Sequence, residues 1–232
     1  MLTFVRRLMP YAWGVEVGLA ANDMRPLMRG WIHLGSAVAA PFGLVMLLVQ
    51  ADSWQAYLGA TVFGVSVLLL FSTSASYHLL PWRPRARRWM KRLDHAMIFV
   101  AVAAILTPFC LVVMSPAWGI AMLCISWALA IGGVVMKMGW PDLPRKVGVT
   151  SYLVLGWLPI LAAPEVASGL PGWALAATVT CGVLYSVGGL AYGLRWPNPS
   201  PRVFGHHEVF HGLVSVATLG MYVVVASAVV GA

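Results

Sequence analysis

The chain has 232 residues, of which 60% are apolar and only 9% charged, whereas soluble domains are about 45–50% apolar and about 25% charged. So few charges cannot cover a water-soluble surface, and a mean hydropathy of +0.84 marks an integral membrane protein. The three cysteines, Cys110, Cys124 and Cys181, lie inside apolar runs, which excludes a disulfide-stapled secreted domain and a Cys-x-x-Cys metal knuckle.

Residues 1–30 lack the uninterrupted apolar core of a signal peptide, because Pro10, Glu16 and Asp23 interrupt them. They are read as a retained cytoplasmic or interfacial segment, in which Phe4, Leu8, Tyr11, Trp13 and Val15 with Arg6 and Arg7 suit either an interfacial helix or a plain tail. Residues 31–232 form one membrane domain. A membrane helix needs roughly 20 mostly apolar residues, and seven such stretches follow, at about 31–50, 57–80, 94–114, 117–136, 147–164, 173–194 and 208–230. The expected fold is therefore all-α, a seven-transmembrane-helix bundle. Pro41, Pro108 and Pro159 fall inside spans, where kinks are expected. Gly189 and Gly193 suit close packing of the sixth span.

The fifteen Lys and Arg residues sort by loop. Arg6, Arg7, Arg25 and Arg29 precede the first span; Arg83, Arg85, Arg87, Arg88, Lys91 and Arg92 lie between the second and third; Lys137, Arg145 and Lys146 lie between the fourth and fifth; Arg195 and Arg202 lie between the sixth and seventh. All fall on one side of a seven-span arrangement, which the positive-inside rule makes cytoplasmic. The N-terminus is then inside and the C-terminus outside. Read this way, the net charge of +8 reports topology and implies no nucleic-acid partner.

Ionisable groups inside spans are costly and point to function. They collect in three places: Ser74 to His78 at the end of the second span, Asp94 and His95 at the start of the third, and His206 to His211 at the start of the seventh. The derived orientation brings all three to the cytoplasmic side. His207 and His211, four apart, stack on one helical face, as two ligands of one metal do. His78 would add a third imidazole, leaving an open fourth position for water, the pattern of a catalytic zinc site. Asp94 would hold that water, and Ser74, one turn deeper than His78, would donate a hydrogen bond to the water or to a developing oxyanion. Zinc suits three imidazoles best, although ligand type leaves iron, nickel and copper open. His33, His95 and His206 are read as polar anchors near the interface. The run His207-Glu208-Val209-Phe210-His211 also fits HExxH, in which Glu208 would be the base of an intramembrane metalloprotease.

The motifs Ser74-xxx-His78, Leu93-Asp94-His95 and His207-Glu208-x-Phe210-His211 closely resemble the hemolysin III branch of the progestin and adipoQ receptor (PAQR) superfamily. Tyr185-xx-Gly188-xxx-Tyr192 and the following Arg195-Trp-Pro-Asn-Pro are similar to that family's sixth span and its exit. The likeness covers about residues 25–230. It implies a seven-helix bundle with its N-terminus inside, and Zn2+ held by His78, His207 and His211 with Asp94 and Ser74 in or near the metal's water shell. Relatives in the superfamily include ceramidases, and bacterial members carry a hemolysin label and a link to membrane fluidity. The extra hydroxyls before Ser74 depart from the pattern and leave Ser72 or Ser76 open to share its role.

Four functions follow. One is a zinc-dependent hydrolase of a lipid amide or ester, ceramidase-like, acting in lipid homeostasis at the bacterial inner membrane, with membrane lipids as partners and the basic stretch Arg83–Arg92 favouring anionic headgroups. Another is a non-enzymatic, zinc-stapled sensor of bilayer state. A pore-forming cytolysin is disfavoured because the spans have no polar stripe to line a pore. The metalloprotease is the fourth. The lipid and the oligomeric state are not encoded in any motif.

Overall fold

A computed structural model describes residues 26–140 and 142–230; the expectations for Phe4 to Val15 lie outside the described residues. The helices are α1 (Trp31–Gln50), α2 (Trp54–Leu79), α3 (Pro84–Pro108), α4 (Pro116–Gly139), α5 (Arg145–Gly156), α6 (Ala163–Gly169), α7 (Gly172–Leu194) and α8 (His206–Val230). A π turn, Phe109–Val113, extends α3, and a 3-10 turn, Leu158–Ala162, joins α5 to α6. Seven of the resulting rods are long and apolar enough to cross a membrane, the third being α3 with its π turn and the fifth α5 through α6.

Local chemistry sets the ends. Ser53 Oγ accepts from Ala56 N at 3.1 Å and caps α2. Pro84 and Pro116 stand at the first helical position of α3 and α4, where a missing N–H leaves nothing unpaired. Pro108 removes one donor from the helical ladder, and the π turn follows at once. Pro159 has the larger effect: the fifth span breaks after Gly156 rather than merely bending. α1 runs through Pro41 without a change of helix type.

The third span departs from expectation. Its helix begins at Pro84, ten residues before the start given by apolar content, so Arg85 to Arg92 form helical turns and not a loop. Apolar runs mark the membrane-embedded part of a helix, while the backbone continues into polar surroundings as long as nothing breaks it.

α1 packs between α2 and α8, α2 against α3, α3 against α4, and α7 against α8, which closes the bundle. The third span is the most buried of the seven and the first the least. On α1, Val38, Phe42, Val45 and Val49 form an exposed stripe at helical spacing, the face a lipid bilayer would cover. The core joins Phe63, Phe71, Phe99, Met122 and Val225.

One end of the bundle gathers the polar segments. Leu27 N and Met28 N donate to Arg202 O and Val203 O, each at 3.1 Å, tying the turn before α1 to the loop before α8. Arg92 Nη1 donates to Met138 O at 3.1 Å, and Arg145 Nη1 donates to Tyr192 O at 3.2 Å. The segments carrying the described basic residues thus meet at a single end.

Candidate metal centre

The first turn of α8 is fixed before its histidines can be placed. Asn198 Oδ1 accepts from His206 N at 3.0 Å, and Glu208 Oε2 accepts from Gly205 N at 2.8 Å, the return half of a capping box. Arg29 pairs with the other oxygen of Glu208, whose side chain is 0% exposed. With this turn held, His207 and His211 project on one face with ring centroids 4.5 Å apart.

The last turn of α2 brings the third imidazole. The His78 ring lies 4.9 Å from that of His207 and 5.1 Å from that of His211. His207 Nε2 and His78 Nε2 are 3.3 Å apart. Two nitrogens bound at 2.0–2.1 Å around a tetrahedral ion stand about 3.3 Å from each other, so this pair already has the spacing of common ligands. One ligand atom from each of His78, His207 and His211 falls within 4.8 Å of the others, a group that could hold a metal ion. His211 Nδ1 is buried without a hydrogen-bond partner among the described residues. The donor set therefore fits a borderline cation such as zinc.

Gly30 makes room for this arrangement. Its φ of +85° is left-handed, and a Cβ there would stand 2.7 Å from the Cβ of His78. Any other residue would both strain the turn and push on His78.

Asp94 Oδ2 lies 3.9 Å from His78 Nε2, beside the three-histidine group and not a member of it. Ser74, buried on α2, hydrogen-bonds to the Asp94 carboxylate. Ser72 is exposed, and Ser76 is only partly buried, with its carbonyl accepting from Trp82 Nε1 at 2.9 Å. Of the three serines, Ser74 is the one in the wall of the site.

Two histidines read as interface anchors stand elsewhere. His33 is 3% exposed, stacked on His211 at 3.7 Å and 9° and set edge-on to Phe71 at 4.9 Å. Sequence gives no sign of this contact, since His33 has no partner on its own helix; packing of α1 on α8 creates it. His95 Nδ1 donates to Lys91 O at 2.6 Å, which leaves Nε2 to accept from the Tyr192 hydroxyl at 3.0 Å. Tyr152 donates to His95 O at 3.1 Å. His206 is half-buried beside Asn198. Tyr152 and Tyr192 were also not singled out from sequence as site residues.

A cavity of about 170 Å³ opens from this cluster. Ser74, Asp94, His207 and His211 line its polar end, and Ile98, Ile105, Leu153, Val214 and Met221 continue it into the bundle. Between Asp94 and Leu106 its wall follows α3 over twelve helical steps, roughly 18 Å at 1.5 Å per residue. The space is long and mostly apolar, with the hydroxyl-bearing Thr178, Tyr185, Ser186 and Thr218 also in its wall away from the carboxylate and imidazoles.

The profile of the family described as Haemolysin-III related matches residues 22–222. The chain belongs to this family. It is 29% identical over 191 residues to the Hemolysin-3 homolog of Bacillus subtilis (strain 168), covering 82% of this chain and 86% of that protein. It is 31% identical over 162 residues to Hemolysin-3 of Bacillus cereus, covering 68% of this chain and 73% of the relative. The haemolysin-III match spans α1 through α7 and most of α8, and so includes His33, Ser74, His78, Asp94, His207 and His211.

Proposed function

We propose that this haemolysin-III-related protein is a zinc-dependent hydrolase of a lipid amide or ester, working in lipid and fluidity homeostasis at a bacterial inner membrane. The observation that carries the reading is the conjunction of three imidazoles, a carboxylate 3.9 Å from one of them and an apolar channel leading away from both. His78, His207 and His211 would hold the metal. When bound, zinc supplies Lewis acidity and brings the pKa of a coordinated water toward about 7. Asp94 receives the proton of the attacking water at its carboxylate, within reach through its place beside His78. Once Asp94 carries that proton it no longer needs the Ser74 hydroxyl hydrogen, which is then free to be donated to the oxygen that gains charge. The channel takes the acyl chain, excludes bulk water and presents the amide or ester carbonyl at its polar end.

The basic residues gathered at one end support an orientation with the N-terminus and the site on the cytoplasmic side and the C-terminus outside. The protease reading loses support, because both Glu208 oxygens are engaged, one by Gly205 and one by Arg29. A zinc staple without turnover is favoured by a different observation: the histidines join α2 to α8, and the His33 stack adds α1.

Asp94→Asn separates hydrolase from staple. Purified protein is assayed with fluorescent lipid amides and esters. The hydrolase reading expects turnover to fall by at least about 100-fold with zinc retained; undiminished turnover overturns the mechanism.

A further inference from the structure

Past Asp94 and the imidazoles, the cavity wall carries a second polar patch. Thr218 follows His211 on α8, nearly on the same face and roughly 10 Å further along the axis at seven helical steps. Tyr185 of α7 meets it, the two hydroxyl oxygens lying 2.8 Å apart, and both residues line the cavity together with Thr178 and Ser186. α7 and α8 are held close on either side of the pair: a Cβ on Gly188 would stand 3.3 Å from Leu213 Cβ, and one on Gly220 would stand 2.5 Å from Cys181 Sγ. Tyr185 stands near the middle of α7 (Gly172–Leu194), away from the ends where tyrosines usually anchor a span.

The direction of each hydrogen bond decides what this patch can recognise. Thr218 Oγ1 donates to Val214 O at 2.8 Å, so its one hydrogen is taken and the Tyr185 hydroxyl donates to Thr218 Oγ1. The reverse direction would leave the Tyr185 hydrogen without an acceptor among the described residues. Thr178 Oγ1 donates to Ala174 O and Ser186 Oγ donates to Gly182 O, each at 2.8 Å, and Ser186 Oγ also accepts from Trp157 Nε1 at 2.9 Å. All four hydroxyl hydrogens are held within the protein, which leaves the patch only lone pairs to offer. Tyr185 Oη accepts from none of the described residues. A methylene chain gives such an oxygen nothing, whereas a hydroxyl hydrogen pairs with it, and scarcity of water enlarges the difference.

We propose that Tyr185 and Thr218 bind a hydroxyl group carried part-way along the acyl chain of the ligand. On the lipid-hydrolase reading, on which this step rests, the carbonyl stands at the histidine end. Carbon–carbon bonds of about 1.5 Å advance a zigzag chain roughly 1.3 Å per carbon, so a hydroxyl at this depth stands about eight carbons from the carbonyl. The ligand is then a lipid whose chain is hydroxylated near its middle.

The test is binding to the full chain in detergent, read by native mass spectrometry, of stearate, 10-hydroxystearate and 5-hydroxystearate, whose hydroxyls fall at about this depth and about halfway to it. Wild type should bind the 10-hydroxy acid about fivefold more tightly than stearate, and the 5-hydroxy acid no more tightly than stearate. Tyr185→Phe with Thr218→Val, which keeps both shapes, should bind stearate at least as tightly as wild type does and show no preference for the 10-hydroxy acid. Equal binding of stearate and the 10-hydroxy acid by wild type, or a preference that survives in the double variant, overturns the proposal. Should the double variant not fold, position decides within wild type: a preference confined to the 10-hydroxy acid supports the patch, and one shared by the 5-hydroxy acid overturns it. The assay needs no turnover. A 10-hydroxy preference in a protein that hydrolyses no lipid ends the hydrolase reading and leaves the hydroxyl site standing; stearate binding without the preference ends the hydroxyl site alone, and binding of none of the acids ends both.

Discussion

Asp94 and Glu208 are the two carboxylates nearest the histidines, and their neighbours give them separate tasks. Asp94 faces the cavity with Ser74 against it; Glu208 is closed in by Gly205 and Arg29. Glu208→Gln keeps an acceptor for Gly205 N but leaves the Arg29 charge without its partner. It is expected to lower stability by about 3 kcal/mol, the bottom of the range for broken buried pairs because Arg29 is 19% exposed. Thermal unfolding in detergent reads the loss, and zinc content at low temperature should be unchanged. A fall in zinc without a fall in stability would place Glu208 at the metal. The His33 ring lies flat on His211, a geometry that would hold the plane of the His211 ring without offering a nitrogen to the same ion. His33→Leu should weaken zinc binding by about tenfold in a chelator competition, and His33→Phe, which preserves a stackable ring, should lie closer to wild type. Equal loss in both variants would assign the effect to something other than the stack.

Single helices explain what sequence reading reaches and where it stops. His207 and His211 are legible because α8 alone sets their four-residue spacing, and the seven spans are legible because each is a long apolar run. His33 is not, since its partner is 178 positions away on another helix. The contacts of Tyr152 and Tyr192 with His95 are hidden for the same reason, since the hydroxyls meet His95 only when α5 and α7 pack beside α3. The early start of α3 escapes a reading based on hydropathy because Arg85 to Arg92 are polar yet helical. Pro159 does announce the interruption in the fifth span, though as a bend and not as the observed break. The turn before α1 yields a prediction at this scale. Gly30→Ala places a methyl group against His78 and strains a left-handed φ, so it should weaken zinc binding by about tenfold or more although Gly30 has no metal-binding atom. Wild-type affinity in that variant would mean that the turn yields without moving His78.

Across the described residues, the segments that carry the basic side chains converge at one end, and the cavity runs inward from that end. Topology and chemistry are therefore one arrangement. Alkaline phosphatase fused at the C-terminus should be active outside the cell, and fusions in the loops around residues 80–83 and 195–205 should be inactive; the reverse pattern would invert the orientation and put the site on the outer face. On this reading, three histidines from α2 and α8 hold one metal ion. Elemental analysis of detergent-purified protein tests it most directly, with wild type measured beside His78→Ala and His211→Ala. Wild type should hold about one zinc per chain and either variant close to none. Folded, freshly prepared wild type with no metal, or variants that keep the full amount, would contradict it.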